Sequence, residues 1–374
     1  MLRELNPGTR LLLGPGPSLV PPQVLRAMAT PLVGHLDPDF LAILQDIRHM
    51  LRQVFGTQNE LTLAVSGTGT SAMEAALGNL LEPGDSMLAC VQGYFGDRLA
   101  EIGRRYGAEV ERLERPWGNV LEPEALDGAL RRRQAKVVTL VHAETSTGAL
   151  QPEIAALADI CHRHDALMVL DCVTSLGGIA VEIDRWGVDV AYGASQKALS
   201  APPGLAPITV GPRARQAIAA RRTPPPVFYF DLTLLDRYWG DQPSYHHTAP
   251  ISTAFAFREA LRLALEEGLE TRYARHRGNA ERLWQGLEAL DLPLLVPEPH
   301  RLTTLSTPRL PGTWDEAGLR RQLLERYGIE IAGGFGPLAG KVWRIGLMGY
   351  SSRRENVLTL LAALEELLSS PRPS

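Results

Sequence analysis

Three groups of residues in this chain have types and spacings that could do chemistry together. Lys197 lies in Ala194-Ser195-Gln196-Lys197-Ala198-Leu199, just after the apolar run Val188-Asp189-Val190-Ala191-Tyr192-Gly193. A second apolar run, Leu167-Met168-Val169-Leu170, ends in Asp171, 26 positions before the lysine. Well upstream, Ser66-Gly67-Thr68-Gly69-Thr70-Ser71 is a glycine-rich turn feeding a helical pattern. An amine can form a Schiff base, a carboxylate can keep a pyridine nitrogen protonated, and such a turn can take a phosphate. Together they are three parts needed to hold pyridoxal phosphate. Each alone is weak: a lysine after a strand is usually solvated, and an aspartate at a strand end often only caps the next helix. The order and spacing of the three carry the cofactor reading.

Thr68, Gly69 and Thr70 precede a helix expected from Ser71. A helix start offers free N–H groups and roughly half a positive charge, which suits a dianionic phosphate. The alternative is a tight connection in which Thr70 or Ser71 merely caps the helix. A carboxylate at Asp171 would keep a pyridine ring cationic, so that the ring withdraws electrons as negative charge develops on a substrate Cα. Phe95, in Gly93-Tyr94-Phe95-Gly96, follows a strand and could stack on such a ring; its alternative is an ordinary core aromatic. Lys197 would hold the cofactor and then move the Cα proton, which requires a pKa lowered by desolvation and nearby positive charge. Arg344, flanked by Trp343 and Ile345, is a planar bidentate partner for a carboxylate, or else half of a buried ion pair. Tyr245-His246-His247-Thr248 invites a metal reading, but adjacent histidines in a strand point to opposite faces and no third ligand follows at a fitting spacing. No metal is expected there, and hydroxyls of Tyr245 and Thr248 presented to an anion are the better reading.

Elements that would position these residues follow from the hydrophobic pattern. Strands are expected at Leu61 to Val65, Ser86 to Val91, Val110 to Leu113, Val137 to Val141, Leu167 to Leu170, Val188 to Tyr192 and Ile208 to Val210. Helical patterns lie between most of them: Ser71 to Leu81, Asp97 to Tyr106, Pro123 to Gln134 and Glu153 to His164. Such alternation predicts an α/β fold with a mostly parallel seven-stranded sheet sandwiched by helices. Ligands of such sheets bind beyond the carboxyl ends of the strands, where the turn at Ser66, Asp171 and Lys197 all fall. After Gly268 the pattern changes to helices at Glu270 to Leu290, Glu316 to Tyr327 and Arg353 to Leu368, with strand-like Leu302 to Ser306 and Val342 to Ile345. The expected division is an N-terminal segment 1–15, a large cofactor-binding domain 16–267 and a smaller C-terminal α+β domain 268–374. Leu11 to Pro17 reads as a fixed loop.

A chain of 374 residues is long enough for two domains. A net charge of −4 gives no footprint for nucleic acid and no polybasic membrane patch. No apolar run reaches the ~18 residues of a membrane helix. The sparse cysteines, Cys90, Cys161 and Cys172, lack metal spacing and point to reduced thiols and a cytoplasmic protein.

The motifs resemble the class V, fold-type I pyridoxal-phosphate aminotransferases of the alanine–glyoxylate and serine–pyruvate group. The likeness runs through Gly14-Pro15-Gly16-Pro17-Ser18, Ser66-Gly67-Thr68-Gly69, Leu81-Glu82-Pro83-Gly84-Asp85 and His142-Ala143-Glu144-Thr145-Ser146-Thr147-Gly148. It continues in Asp171-Cys172-Val173-Thr174-Ser175-Leu176-Gly177-Gly178, Ser195-Gln196-Lys197-Ala198-Leu199, Tyr245-His246-His247-Thr248, Trp343-Arg344-Ile345-Gly346 and Arg354-Glu355-Asn356-Val357. The resemblance implies that Lys197 is the Schiff-base lysine and Asp171 the partner of the pyridine nitrogen. It sets Ser146 near the O3′ side of the cofactor, Val173 on the ring and Phe95 where the family has a stacking aromatic, often Trp. Thr68, Gly69, Thr70 and Gln196 match phosphate contacts, and Tyr245 and Thr248 match contacts donated by the other subunit of a homodimer. Arg344 matches the substrate-carboxylate arginine, and the loop with Gly16 an active-site wall. The implied reaction moves an amino group from alanine or serine to glyoxylate by ping-pong kinetics. Thr30 to Pro38 and Phe335 to Lys341 also resemble ureidoglycine–glyoxylate aminotransferases, which favour amides where this chain has His35 and Tyr245. Those two residues are read as substrate-side positions, and they favour the alanine or serine reading over ureidoglycine. Cysteine desulfurases share the scaffold but need a mobile catalytic cysteine. A cofactor-bearing regulator would need a basic DNA-binding module, for which no length remains.

Overall fold

The computed structural model describes residues 4–240 and 243–369. All seven expected strands join one sheet: β1 (Leu61–Gly67), β2 (Ser86–Val91), β3 (Glu109–Glu114), β4 (Val137–Val141), β5 (Leu167–Asp171), β6 (Val190–Tyr192) and β7 (Gly204–Val210). Their order across the sheet is β3-β2-β4-β5-β6-β7-β1. Every pairing is parallel except those of β7, which runs antiparallel to β1 and β6. Each residue of β4 and β5 is buried, as continuous apolar strands must be when helices cover both faces. Register sets Asp171 opposite Val141 on one side and Tyr192 on the other, so the carboxyl ends of β4, β5 and β6 form one rim.

Five α-helices lie between residues 38 and 163: α1 (Pro38–Phe55), α2 (Gly69–Leu80), α3 (Tyr94–Arg105), α4 (Pro123–Arg132) and α5 (Ile154–Arg163). Helix α1 was absent from the sequence expectations, although its punctuation is plain in hindsight. The Asp37 side chain accepts a hydrogen bond from the Asp39 N–H at 2.9 Å, Pro38 opens the helix, and Gly56 closes it in the left-handed region. Helix α2 starts at Gly69 rather than Ser71, and α3 at Tyr94 rather than Asp97. Both shifts bring a helix N-terminus closer to the rim.

Beyond these lie α6 (Ile251–Glu267), α7 (Leu269–Ala289), α8 (Glu316–Tyr327) and α9 (Arg354–Ser369). Three short antiparallel strands, β8 (Leu305–Ser306), β9 (Ala332–Gly333) and β10 (Trp343–Gly346), pair in the order β8-β10-β9. The described residues form three apolar clusters: one from Val24 to Leu261, a second joining Leu13 to Leu283, Leu323, Trp343 and Leu364, and a small third of Ala143, Ala198, Leu302, Leu305 and Met348. The expected loop at Leu11 to Pro17 is partly strand, because Leu11–Leu12 pairs in parallel with Ile329–Glu330. Its partner is more than 300 residues away, so no local pattern could announce it. The N-terminal segment thus packs with the C-terminal cluster.

Candidate active site

Asp171 ends β5 and is almost wholly buried. Its Oδ1 accepts from the Val173 N–H at 2.8 Å and its Oδ2 from the Tyr192 hydroxyl at 2.9 Å. Both donors are neutral. Burial therefore dominates and pushes the carboxyl from 3.8 up to about 7, with a smaller rise from nearby Glu144 and a lowering by Lys197.

Lys197 follows β6 in the turn that leads back to β7, and its Nζ donates to the Pro15 carbonyl. Gly16 lies beside it at φ +109°, a conformation open to glycine, and a Cβ there would stand 2.6 Å from Nζ. Burial, then the Arg344 charge, lowers the amine from 10.5 to about 8, while Asp171 opposes the shift. A cleft of about 150 Å³ opens over the lysine. It is lined by Lys197, Gln196, Val173 and Phe95 together with Thr68, Gly69 and Thr70 at the start of α2. Arg98 also lines it and was missed from sequence; its Nη1 donates to Thr70 Oγ1 at 3.0 Å and it packs over Phe95 at 5.0 Å from the ring centre. Its spacing from Tyr94 and Phe95, four and three residues along one helix, is the signal that could have found it.

Arg344 stands on β10, 4% exposed. Its Nε donates to the Gly333 carbonyl at 2.7 Å and Phe335 covers its face at 3.8 Å. Burial lowers its pKa to about 10, against the attraction of Glu144. Its terminal nitrogens meet no acceptor among the described residues, so an open bidentate edge remains for an anion.

The Aminotransferase class-V family model matches residues 10–356. The chain belongs to the class-V aminotransferases. It is 42% identical to a (S)-ureidoglycine–glyoxylate transaminase from Bacillus subtilis, over 98% of this chain and 92% of that protein. It is 43% identical to an alanine–glyoxylate aminotransferase from Oryctolagus cuniculus, over 96% and 92%. The crystal structure of an alanine–glyoxylate aminotransferase from Nostoc sp. superposes with a TM-score of 0.97 at 49% identity, covering 98% of this chain and 97% of that one. This class-V aminotransferase is a pyridoxal-phosphate-dependent transaminase of fold type I.

The residues present fit that cofactor. An acid with only neutral donors needs a cation such as a protonated pyridine nitrogen, the α2 start and Arg98 suit a phosphate, and a lysine with lowered pKa suits an aldehyde. Ser146 is fully buried and does not line the cleft; it sits one layer behind, under Tyr94. His35, Tyr245 and Thr248 also lie off this cleft. Tyr245 is 64% exposed, with its ring 5.4 Å from that of His35. The histidine pair corrects the strand assumption made from sequence: the segment is irregular, and His246 Nδ1 and His247 Nδ1 share a hydrogen bond of 2.8 Å. His247 also bonds Ser66 Oγ at 2.9 Å, and burial with two neighbouring imidazoles lowers it to about 4. The three cysteines are buried and unpaired, burial pushes the Cys90 thiol to about 12, and none lines the cleft. A desulfurase thiol is therefore missing from it. No helix among the described residues is long and apolar enough to cross a membrane.

Proposed function

We propose that this aminotransferase moves the amino group of alanine or serine to glyoxylate in two alternating half-reactions. The observation that carries the reading is the open guanidinium edge of Arg344, whose charge reaches Lys197 in its small cleft and which fits one carboxylate and a short side chain. Pyridoxal phosphate supplies an electrophilic aldehyde and an electron-withdrawing ring. Lys197 would hold the cofactor through its amine, and the free amine would carry the proton of the substrate Cα. With its amine near pKa 8, a useful share is unprotonated close to neutral pH. Asp171, oriented by Tyr192 and Val173, holds a proton on the pyridine nitrogen. Phe95 and Val173 would hold the ring, Gly16 would wall the site, and Thr68, Gly69, Thr70 and Gln196 would hold the phosphate. Ser146, bonded to the Tyr94 N–H, would act on the O3′ side.

Tyr245 and Thr248, exposed and outside their own cleft, serve the phosphate of a second copy, which makes the working unit a homodimer. Large apolar side chains at Leu25, Leu32, Phe228 and Tyr229 stand exposed and support such an association. The domain division at 16–267 and 268–374 is supported by the two larger apolar clusters, while the small third draws on both sides of the boundary. Three unpaired buried thiols suit a reducing, cytosolic compartment.

Ureidoglycine is the second reading, supported by the Bacillus relative at nearly equal identity. His35 and Tyr245 offer a ring and a hydroxyl, not the amides that pair with a ureido group. The test mixes holoenzyme with alanine, serine and ureidoglycine separately and follows the visible absorbance of the bound cofactor. Alanine or serine is expected to bleach it fastest; fastest bleaching by ureidoglycine would replace the first reading with the second.

A further inference from the structure

Glu144 has no part in the chemistry above, yet it is a wholly buried acid at the rim. It lies just after β4, and β2 pairs with β4, so the loop after β2 runs alongside it. That loop opens α3, whose N-cap is Gly93 and offers no side chain to the first free N–H groups. The loop after β4 supplies what the glycine lacks. Glu144 Oε1 accepts from the Phe95 N–H at 3.5 Å, from the Ser146 N–H at 3.0 Å and from the Ser146 hydroxyl at 2.5 Å. Ser146 Oγ in turn accepts from the Tyr94 N–H at 3.0 Å. A Cβ on Gly93 would stand 2.4 Å from Glu144 Cδ and 2.6 Å from Ser146 Oγ, so the glycine is what lets the pair come in beneath the turn.

A negative group at a helix start is favourable, but a buried carboxyl is a costly way to obtain a cap that a Ser or Asp at the N-cap would give. Glu144 Oε2 is buried and unpartnered among the described residues. Its charge is felt by Asp171 on β5, Tyr192 on β6 and Arg344 on β10. Its placement has a consequence that an ordinary cap would lack: the N–H it holds belongs to Phe95, the aromatic wall of the cleft.

We propose that Glu144, working with Ser146, is a positioning residue that caps α3 from the neighbouring loop and thereby sets the Phe95 ring against the cofactor. This rests on the reading that Phe95 stacks on the cofactor ring. The test is a double-mutant cycle on holoenzyme, with pyridoxal phosphate affinity and visible circular dichroism of the bound cofactor as readouts. Phe95→Ala and Glu144→Ala are each expected to weaken affinity about tenfold and to reduce the dichroic band, with the double variant little worse than either. Glu144→Gln keeps an accepting oxygen and is expected to stay within about threefold of the parent. Should Glu144→Ala fail to fold, Ser146→Ala takes its place in the cycle. A neutral Phe95→Ala would remove the stacking reading, and the proposal with it. A harmful Phe95→Ala with additive losses, or Glu144→Gln falling as far as Glu144→Ala, would overturn the proposal alone.

Discussion

Two buried aspartates near the ends of neighbouring strands have opposite surroundings. Asp189, at the amino end of β6, is 4% exposed and accepts from the Met168 N–H at 2.8 Å, Arg213 at 3.1 Å and His162 at 3.2 Å. Asp171, at the carboxyl end of β5, is 2% exposed and has only two neutral donors. The cavity beside Asp189 measures about 810 Å³ and that beside Lys197 about 150 Å³. Cavity size therefore points away from the chemistry, and charge balance points toward it. The amino end is a satisfied lock. The carboxyl end holds an acid with only neutral hydrogen-bond donors, an amine with a lowered pKa and a guanidinium with an open edge, which is how a site built for chemistry differs from one that only holds the fold.

The strongest way to break this contrast is at Lys197. Lys197→Ala is expected to lower turnover about 10³-fold or more while leaving the far-ultraviolet dichroism unchanged. Ordinary transamination by that variant would remove the lysine from the chemistry. Asp171→Asn comes next, with kcat down about 10²-fold or more. The same change should stabilise the cofactor-free protein at pH 8. The folded pKa of Asp171, about 7, lies above its ordinary 3.8. Between those values the native carboxyl holds a proton that the unfolded one has lost, so stability falls as pH rises through that window. The loss is on the order of 4 kcal/mol, and the asparagine escapes it. Thermal melts of both apoproteins at pH 5 and pH 8 check the sign, since their difference should widen at the higher pH.

Local pattern carried most of this site. Strands β1 to β7 are short, all but the charged edge strand β3 are mainly apolar, and helical periods separate most of them, so Asp171 and Lys197 could be set on one rim before any coordinates. Arg344 was legible because its apolar neighbours made a surface position improbable. What stayed hidden depends on long-range pairing or on burial alone. The strand at Leu11–Leu12 exists because Ile329–Glu330 is beside it. Glu144 reads as one polar residue in a polar loop until β2 and β4 are seen to adjoin. Arg98 gains a place in the site only through the fold, which brings its Nη1 to 3.0 Å from Thr70 Oγ1. Tyr245 and Thr248 matched a family motif, but a single chain leaves them outside its own cleft.

Arg344→Ala should lower kcat/KM about 10²-fold, mostly through KM for both amino and keto acids, because one bidentate charged contact is worth about 2–4 kcal/mol. Unchanged kinetics would make Arg344 a structural cation like Arg213. A smaller effect follows from the Lys197 amine near pKa 8. Free amine rises about tenfold from pH 7 to pH 9 at that pKa, and so should the rate at which apoprotein takes up pyridoxal phosphate. Stopped-flow absorbance gives the profile, and a rate still climbing tenfold per two units above pH 9 would mean the amine is not lowered.

The least effect on activity, and the sharpest contrast, belongs to Asp189→Asn. The amide keeps an oxygen for the Met168 N–H but loses its charge against Arg213 and His162. Arg213 is 39% exposed and can turn to water, so the loss stays well below that of a fully buried pair, about 1–2 kcal/mol by chemical denaturation. Steady-state kcat should remain within about twofold of the parent, because Asp189 lies at the opposite end of the sheet from Lys197. The same Asp-to-Asn change would then destabilise the protein without slowing it at one end, and slow it while stabilising its apo form at the other. A fall in kcat at Asp189 comparable with that at Asp171 would show that the two ends are coupled and that charge balance does not separate them.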